Sequence, residues 1–349
     1  MKLTLRSSLL FAVVSSLAAA SLAQPGGGLK VVQSVKIGGD GGWDYLTVAA
    51  AARRFYVTRG TRVMVLDADT LKPIGEIPKT EGVHGVALAP DLGRGFASNG
   101  RANTVTVFDL KSLKTLDEIK VTGENPDAVL YDGATHRVFA FNGRSQSATV
   151  LDGATGKVVE TIALGGKPEF ATTDLAGRVY VNLEDKSQVV AIDAHKLAVE
   201  STWPLAPCEE PSGMAIDRAH KRLFVGCGNK LMAVVDAATG KVVTTVPIGE
   251  GVDANGFDPA LALAYSSNGD GTLTVVHEDA PDKYTVVANV PTKPRARTMA
   301  VDEKTHRVFL ATAEFGPPPS PTAEQPRPRP PMVPDTFTIL VVGGASDAK

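Results

Sequence analysis

The chain has 349 residues, with 36 Lys and Arg against 38 Asp and Glu and a formal net charge of −2. Proteins that bind nucleic acid rely on dense positive charge that displaces counterions from phosphates, so this balance argues against a nucleic acid partner. Hydrophobic residues make up 43% of the sequence, which is enough for a large buried core. A chain of this length would ordinarily form two domains of about 100–200 residues each.

The N-terminus has the features of a secretory signal peptide. Two positive charges, Lys2 and Arg6, precede an apolar stretch, and a small-x-small sequence ends at Ala23. We therefore expect residues 1–23 to be removed and the mature chain to begin near Gln24, in the periplasm or outside the cell. No later segment has the run of about 18 apolar residues that a membrane-spanning helix needs, so no membrane span is expected.

One phrase occurs twice at a distance of 84 residues. Residues 150–162 read VLDGATGKVVETI and residues 234–246 read VVDAATGKVVTTV, so nine of thirteen positions agree. A period of about 42 residues is typical of one four-stranded propeller blade, and 84 residues would be two such periods. Equivalents of the Asp in this phrase do recur at spacings of 41 to 43 residues: Asp67, Asp109, Asp152, Asp193 and Asp236, with His277 in the same place.

Each period contains the same succession of short strands and turns. A β-rich run such as RVFAFNG is followed by an alternating strand such as SATVLD, a tight turn such as GATGK and a last strand such as VVETIAL. Strands of this length with Gly, Asn and Asp between them, and no sustained helical period, predict an all-β fold. The Asp before each tight turn is expected to accept hydrogen bonds from backbone N–H groups in an Asx-type turn.

Seven segments of this kind predict a seven-bladed β-propeller. The seventh segment lacks one strand before the chain ends, and residues 29–39 (LKVVQSVKIGG) match the last strands of other blades. We therefore expect this N-terminal strand to complete the last blade and close the ring, which leaves no exposed edge. Residues 24–349 are then a single propeller domain. The seven segments begin near Gly41, Val83, Asn125, Pro168, Pro211, Val252 and Arg295.

The strand-and-turn phrases carry a family resemblance. The sequences RRFYVTRG, HRVFAFNG, GRVYVNLE and KRLFVGCG are each followed by a VxD sequence and a TGK-like turn. In these phrases the chain resembles the YVTN-repeat β-propellers, the YncE-like exported bacterial proteins, over residues 29–343. The resemblance implies a seven-bladed propeller in the bacterial periplasm or outside the cell. Members of this group range from binding modules to lactonases and haem-enzyme domains, so the resemblance specifies fold more than function.

Alignment of the blades on the aromatic residue of the second strand predicts one equivalent polar position per blade at one rim of the central channel. Three interpretations are open: polar lining of a wet rim, a ligand or substrate site in which a carboxylate acts as general acid or base, and a divalent metal site. Strict strand alternation argues against a site, since it puts these residues on the same side as large side chains such as Leu88. The seven positions are Asp44, His84, Asp127, Glu169, Ser212, Asp253 and Arg297, of which Asp44, His84, Asp127 and Glu169 are the candidate metal ligands.

The chain has two cysteines, which fall at the same end of one blade. Cys208 lies just before the inner strand of the fifth blade, and Cys227 ends the second strand of that blade. A disulfide is geometrically reasonable there in an oxidising compartment. A soft-metal pair is the alternative, but no His-x-Cys or Cys-x-x-Cys spacing supports it.

An insertion in the seventh blade, residues 315–335, contains nine prolines. Proline cannot donate to a strand ladder and favours the polyproline II conformation, so this segment is expected to be an extended loop rather than an eighth blade. We expect it to emerge at the polar rim. It is then a lid or a partner-binding arm, with Arg327 and Arg329 for anions, or a solvated loop.

These features predict an exported, monomeric module that binds a small-molecule ligand or an exported protein partner at its channel rim. The alternative is a lactonase-type hydrolase or lyase that uses the acidic rim with a divalent metal as cofactor. The sequence contains no Gly-rich phosphate loop, G-x-S-x-G or H-E-x-x-H motif, so it identifies no nucleophile. The other turn histidines are expected to be surface residues: His136, His195, His220 and His306.

Overall fold

The computed structural model describes residues 28–322 and 328–344, so the expected leader at 1–23 lies outside the described residues. The described residues form seven four-stranded antiparallel sheets arranged as the blades of a propeller, as the sequence predicts. The first strand of each blade contacts the first strands of its neighbours, and these inner strands surround the channel. No helix in this part of the chain is long and apolar enough to cross a membrane.

The strands follow one another from the inner to the outer edge of each blade. Blade 1 contains β2 (Leu46–Ala49), β3 (Arg54–Arg59), β4 (Arg62–Asp67) and β5 (Pro73–Pro78). Blade 2 contains β6 (Val83–Ala89), β7 (Arg94–Asn99), β8 (Thr104–Asp109) and β9 (Thr115–Lys120). Blade 3 contains β10 (Pro126–Asp132), β11 (Arg137–Asn142), β12 (Ser147–Asp152) and β13 (Val158–Ala163). Blade 4 contains β14 (Pro168–Thr173), β15 (Arg178–Leu183), β16 (Gln188–Asp193) and β17 (Ala198–Pro204).

The last three blades follow the same plan, with one strand supplied from the start of the chain. Blade 5 contains β18 (Pro211–Asp217), β19 (Arg222–Cys227), β20 (Leu231–Asp236) and β21 (Val242–Pro247). Blade 6 contains β22 (Val252–Asp258), β23 (Leu263–Asn268), β24 (Thr272–Ala280) and β25 (Lys283–Pro291). Blade 7 contains β26 (Thr298–Asp302), β27 (Arg307–Thr312), β28 (Thr338–Gly343) and β1 (Lys30–Lys36). Two 3-10 turns are present in the described residues, Pro90–Leu92 and Glu184–Lys186.

The tight turn before the outer strand forms as predicted in blades 1 to 5. In blade 3 the Asp152 Oδ1 atom accepts hydrogen bonds from the backbone N–H and the hydroxyl of Thr155, both at 2.9 Å. These bonds satisfy backbone and side-chain donors that the turn leaves without ladder partners, so they fix the geometry of the outer hairpin. The same carboxylate-to-turn bonds occur at Asp67, Asp109, Asp193 and Asp236.

The core lies between the faces of neighbouring blades. Phe141 of blade 3 belongs to the same buried cluster as Val179 of blade 4. Between blades 7 and 1 the rings of Phe55 and Phe309 stack with their centroids 4.8 Å apart. Burying one such side chain stabilises the fold by about 1.5–3 kcal/mol, and a blade buries both of its faces only when it has a neighbour on each side.

The N-terminal strand closes the ring. Strand β1 pairs antiparallel with β28, from Lys30 opposite Gly343 to Lys36 opposite Thr338. Its apolar side chain Val35 packs against the buried cluster that contains Ile339 of β28. This pairing is the closure that the match of residues 29–39 to other outer strands predicts.

The two cysteines are bonded to each other. Cys208 and Cys227 form a disulfide whose Cα atoms lie 5.5 Å apart, and both residues are buried in the cluster that blade 5 shares with blade 4. The bond ties the loop before β18 to the end of β19, at the same rim as the polar positions of the channel.

Loss of β1 should open the ring. A chain that begins at Gly41 lacks the closing strand, exposes the edge of β28 and loses the packing of Val35. We expect it to aggregate, or to unfold at least about 10 °C below the chain that begins at Gln24, because 1 kcal/mol shifts the midpoint of a protein of this size by about 2–4 °C. Thermal unfolding and light scattering of the two chains measure this, and equal stability would contradict the closing role of β1.

Candidate functional site

A β-bulge sets the direction of the rim side chain in five of the seven blades. In blade 2, Val83 and Val86 pair with residues only two positions apart, so His84 and Gly85 together face one partner. A bulge bends the strand and re-aims its side chains. The expectation from strict alternation is therefore wrong, since the extra residue puts Leu88 on the face of Val83 rather than with His84.

Three of the predicted rim residues meet at one point: Asp44, His84 and Asp127, from blades 1 to 3. His84 Nδ1 lies 2.7 Å from Asp44 Oδ2 and 3.6 Å from Asp127 Oδ1. One ligand-type atom from each residue lies within 4.8 Å of the others. The backbone N–H of Asp44 donates to Thr58 Oγ1 at 3.1 Å, which fixes the start of the first blade. One imidazole nitrogen and two carboxylate oxygens at this spacing can surround a divalent cation.

The other four predicted rim residues form two separate charged groups. Glu169 lies 2.6 Å from Lys167 Nζ and is not part of the three-residue cluster, although the sequence suggests it as a fourth metal ligand. On the other side of the channel, Arg297 Nε lies 3.4 Å from Asp253 Oδ2. Ser212 Oγ lies 3.5 Å from the second oxygen of the same carboxylate.

An aromatic pair occupies the channel next to these rim residues. The rings of Tyr45, from blade 1, and Phe170, from blade 4, lie with their centroids 4.4 Å apart. The Tyr45 hydroxyl is buried and has no hydrogen-bond partner among the described residues. Burial and the charges of the rim carboxylates raise the pKa of Tyr45 well above its usual value, so the hydroxyl keeps its proton. Tyr45 is not among the predicted site residues, although an aromatic residue directly follows the rim position in both blades.

Burial dominates the titration of the rim carboxylates. It raises the pKa of Asp127 to about 6, while the His84 charge opposes and the Asp44 charge reinforces this effect. Burial and the charge of Asp127 raise the pKa of Glu169 to about 7. Burial by itself would lower the pKa of His84, but the hydrogen bond to Asp44 and the charge of Asp127 raise it above its usual value. The carboxylates thus repel one another across the channel, and a bound cation would relieve this repulsion.

The rim opens into two cavities of about 650 and 700 Å³. Gly42, Trp43, Asp44 and Arg329 line both cavities, so the two are lobes of one space. Asp44 and Asp253 therefore face a cavity whose walls carry several guanidinium groups. These arginines are Arg101, Arg144, Arg295, Arg297 and Arg329.

A glycine leaves room for the imidazole of the cluster. A Cβ atom at Gly100 would lie 2.6 Å from His84 Nε2 and 2.8 Å from Asn125 Oδ1. Both distances are well inside van der Waals contact, so any larger residue would displace the His84 ring. The sequence of blade 2 is in this way adapted to the orientation of His84.

The Pro-rich insertion folds back onto the same cavity. Phe315 and Met332 form an isolated antiparallel bridge, and the guanidinium of Arg295 lies 4.6 Å from the centre of the Phe315 ring. This arrangement brings Arg329 into the wall of both lobes. The insertion thus emerges at the polar rim as the sequence predicts, while Arg327 lies outside the described residues.

Comparison with known proteins identifies the fold and no family. No family model and no curated protein matches the sequence at a significant level, so the YVTN-repeat resemblance stays a prediction. Among solved structures, Kuenenia stuttgartiensis hydrazine synthase is 16% identical with a TM-score of 0.69, over 79% of this chain and 94% of that one. U3-55K is 9% identical with a TM-score of 0.70, over 90% and 98%. The WD40 repeats of RRP9 are 9% identical with a TM-score of 0.71, over 92% and 99%. Identities this low show the β-propeller fold alone.

Removal of the Asp127 charge should stabilise the protein at high pH. The folded-state pKa of about 6 lies above the ordinary 3.8, so the folded state favours the protonated carboxyl. The stability that the protonated Asp127 carboxyl contributes is complete below about pH 4 and is lost as the pH rises through 6. The change in the free energy of unfolding that Asp127→Asn causes should therefore be more stabilising at pH 8 than at pH 4, by on the order of 2 kcal/mol.

Chemical unfolding in the presence of a chelator, between pH 4 and pH 8, measures this difference. The matched control is Asp117→Asn, which removes an exposed carboxylate on the outer strand of blade 2 and should show no such trend. An Asp127→Asn variant that becomes less stable than the parent as the pH rises would contradict the assignment.

Proposed function

We propose that this protein is an exported binding module whose channel rim holds a divalent cation and a small anionic organic ligand. The observation that carries the proposal is the convergence of Asp44, His84 and Asp127 from three consecutive blades, with one donor atom of each within 4.8 Å of the others. Export rests on the leader-like sequence at 1–23 and on the family resemblance.

The donor set favours a divalent cation of hard to intermediate character. His84 supplies an imidazole nitrogen and the two aspartates supply oxygens, a combination that suits manganese, zinc or iron. Asp44 and His84 each expose about a third of the side chain to the cavity, 33% and 27%, so ligand atoms can reach the same point from outside.

The arginines of the cavity wall favour an anionic ligand. A guanidinium group presents paired N–H donors that match the geometry of carboxylate and phosphate oxygens. No ion pair within the described residues involves Arg144 or Arg329, so both side chains can bind a ligand without breaking an internal salt bridge. A ligand with one oxygen on the cation and an anionic group among the arginines would use both features of the site.

The fold is also consistent with a protein-interaction module, as in the WD40 neighbours. A small ligand is favoured here because the polar groups converge inside concave lobes of about 650 and 700 Å³. Cavities of this size fit small organic molecules, whereas protein partners bind across wider and flatter surfaces.

Metal binding at the rim should stabilise the folded protein. A cation that binds only the folded state raises stability with the logarithm of its free concentration, by about 2.7 kcal/mol at a hundred times the dissociation constant. Thermal scans against manganese, zinc, calcium and magnesium, with elemental analysis of protein purified without chelators, measure the effect. His84→Ala should remove the part of the shift that the rim site contributes, whereas His195→Ala, which removes an exposed imidazole in a turn of blade 4, should leave the shift unchanged.

The variants also identify the outcome that would overturn the proposal. If neither variant differs from the parent chain for any of the four metals, the cation does not bind at Asp44, His84 and Asp127. If the metal binds at this cluster but carboxylate and phosphate compounds cause no further shift, and Arg329→Ala has no effect, the anionic part of the proposal is wrong.

A hydrolase is the second candidate, since the rim that holds the possible metal ligands also carries the carboxyl group of Glu169. Its pKa of about 7 lets this carboxyl both accept and donate a proton near neutral pH. In lactone hydrolysis the oxygen of water adds to the carbonyl carbon, the ring C–O bond breaks, and the proton lost by water passes through a base to the leaving oxygen. A bound cation would polarise the carbonyl group and lower the pKa of its bound water. In this second candidate Glu169 is the proposed proton relay.

Assays of lactones and esters with each metal test this candidate. If hydrolysis occurs, Glu169→Gln should lower kcat/KM by about 100-fold or more and remove the inflection near pH 7. Glu160→Gln, on an exposed outer strand, should leave both unchanged. Absence of turnover in metal-loaded protein would exclude lactone and ester hydrolysis and leave the binding module.

A further inference from the structure

A second cluster of ligand-type side chains lies at the opposite end of the inner strand of blade 5. Asp217 ends β18, whose other end carries the rim residue Ser212, and His220 follows in the turn. His220 Nδ1 lies 2.6 Å from Asp217 Oδ2 and 3.3 Å from Glu278 Oε1 of blade 6. One ligand-type atom from each of the three residues lies within 4.8 Å of the others. The cluster thus joins two blades far from the channel rim.

Both carboxylates are buried, but only Glu278 is incompletely paired, since Asp217 accepts hydrogen bonds from the backbone N–H groups of Ala219 and His220. The side chains of Asp217 and Glu278 are 4% and 3% exposed, whereas that of His220 is 49% exposed. Glu278 Oε1 accepts a hydrogen bond from the Tyr284 hydroxyl at 3.2 Å. The second oxygen, Oε2, is buried without a hydrogen-bond partner in the described part of the chain. A buried carboxylate oxygen without a donor is costly, so this atom calls for a cation or a proton.

The surrounding charges do not neutralise the pair. Arg218 attracts Asp217 electrostatically, but its guanidinium donates to the Thr173 carbonyl oxygen at 3.1 Å. Arg222 lies 2.9 Å from each of two other carboxylates, Asp236 and Asp282. Positive charge at the centre of the cluster is therefore deficient.

Two other turn histidines show what the ordinary arrangement in this fold is. His136 Nδ1 lies 2.9 Å from Asp91 of the preceding blade, and His306 Nδ1 lies 2.7 Å from Asp258 of the preceding blade. Each of these imidazoles meets one carboxylate. His220 faces two, and apart from the rim cluster it belongs to the only group of three such ligands among the described residues.

We propose that Asp217, His220 and Glu278 bind a divalent transition-metal ion, with zinc as the best match. One imidazole nitrogen and two carboxylate oxygens supply three ligands of kinds that zinc accepts, and the exposed side of His220 leaves a fourth position for water. The ion takes Glu278 Oε2 as a ligand and supplies the missing positive charge. Because its ligands come from blades 5 and 6, it fastens these two blades together, independently of any function of the rim.

Zinc titration of the full chain in a His84→Ala background tests the site, because that substitution disables the rim cluster. After chelator treatment, this variant should bind one zinc ion. A further His220→Ala substitution should weaken binding by at least about tenfold, or 1.4 kcal/mol. A further His306→Ala substitution is the matched control, since it removes a turn histidine that meets one carboxylate, and it should leave the stoichiometry at one.

Two further readouts identify the ligands themselves. Cobalt bound in place of zinc should give a visible absorption spectrum that changes in Glu278→Gln, a variant that keeps the size of the side chain and removes its charge. The proposal is overturned if the His84→Ala protein binds no zinc up to about 1 mM, which would mean that the cluster shares a proton instead. It is also overturned if zinc stays equally tight after His220→Ala and Glu278→Gln.

Discussion

The closed ring of blades is the constraint on which the rest of the structure depends. Each blade is apolar on both faces, so every blade needs two neighbours, and the pairing of β1 with β28 supplies the last contact. Ring closure also sets the positions of the inner strands. Asp44 and His84 lie 2.7 Å apart because blades 1 and 2 are adjacent around the channel, although 40 residues separate them in the sequence.

The channel rim brings several carboxylates together in a buried region where water stabilises their charge poorly. Burial raises the pKa values of Asp44, Asp127, Glu169 and Asp253, which means that each ionised form costs stability. A purely structural channel would be more stable with neutral polar residues. Residues that lower the stability of the fold and lie together in one cavity are characteristic of functional sites.

The repeat period allows much of the fold to be predicted from the sequence alone. The recurrence of Asp67, Asp109, Asp152, Asp193 and Asp236 is visible because each Asp makes the same local bonds in its own turn. The equivalence of the blades then predicts which polar residues share a rim, and Cys208 and Cys227 fall at the same end of one blade. Such predictions need only local structure and the number of blades.

The remaining features depend on contacts that no repeat encodes. Tyr45 and Phe170 meet across the channel from non-adjacent blades, and their pairing follows from the radius of the ring. Glu278 belongs to a strand that is longer than its equivalents, so blade alignment does not reveal its contact with His220. Strand alternation also fails at the rim, because a bulge adds one residue that hydrophobic periodicity does not show.

Because of the bulges, the side chains of the rim can change while the strands of the sheet keep their pairing. At each bulge one extra residue lies outside the regular ladder, so its side chain can be exchanged without changing how the two strands pair on either side of it. Five blades carry such a position and two more carry a rim residue just before the first strand. The rim therefore offers seven side-chain positions on one shared backbone arrangement. Evolution or protein engineering can substitute these rim residues one at a time. Propellers with the same backbone can then bind different ligands while their blades remain unchanged.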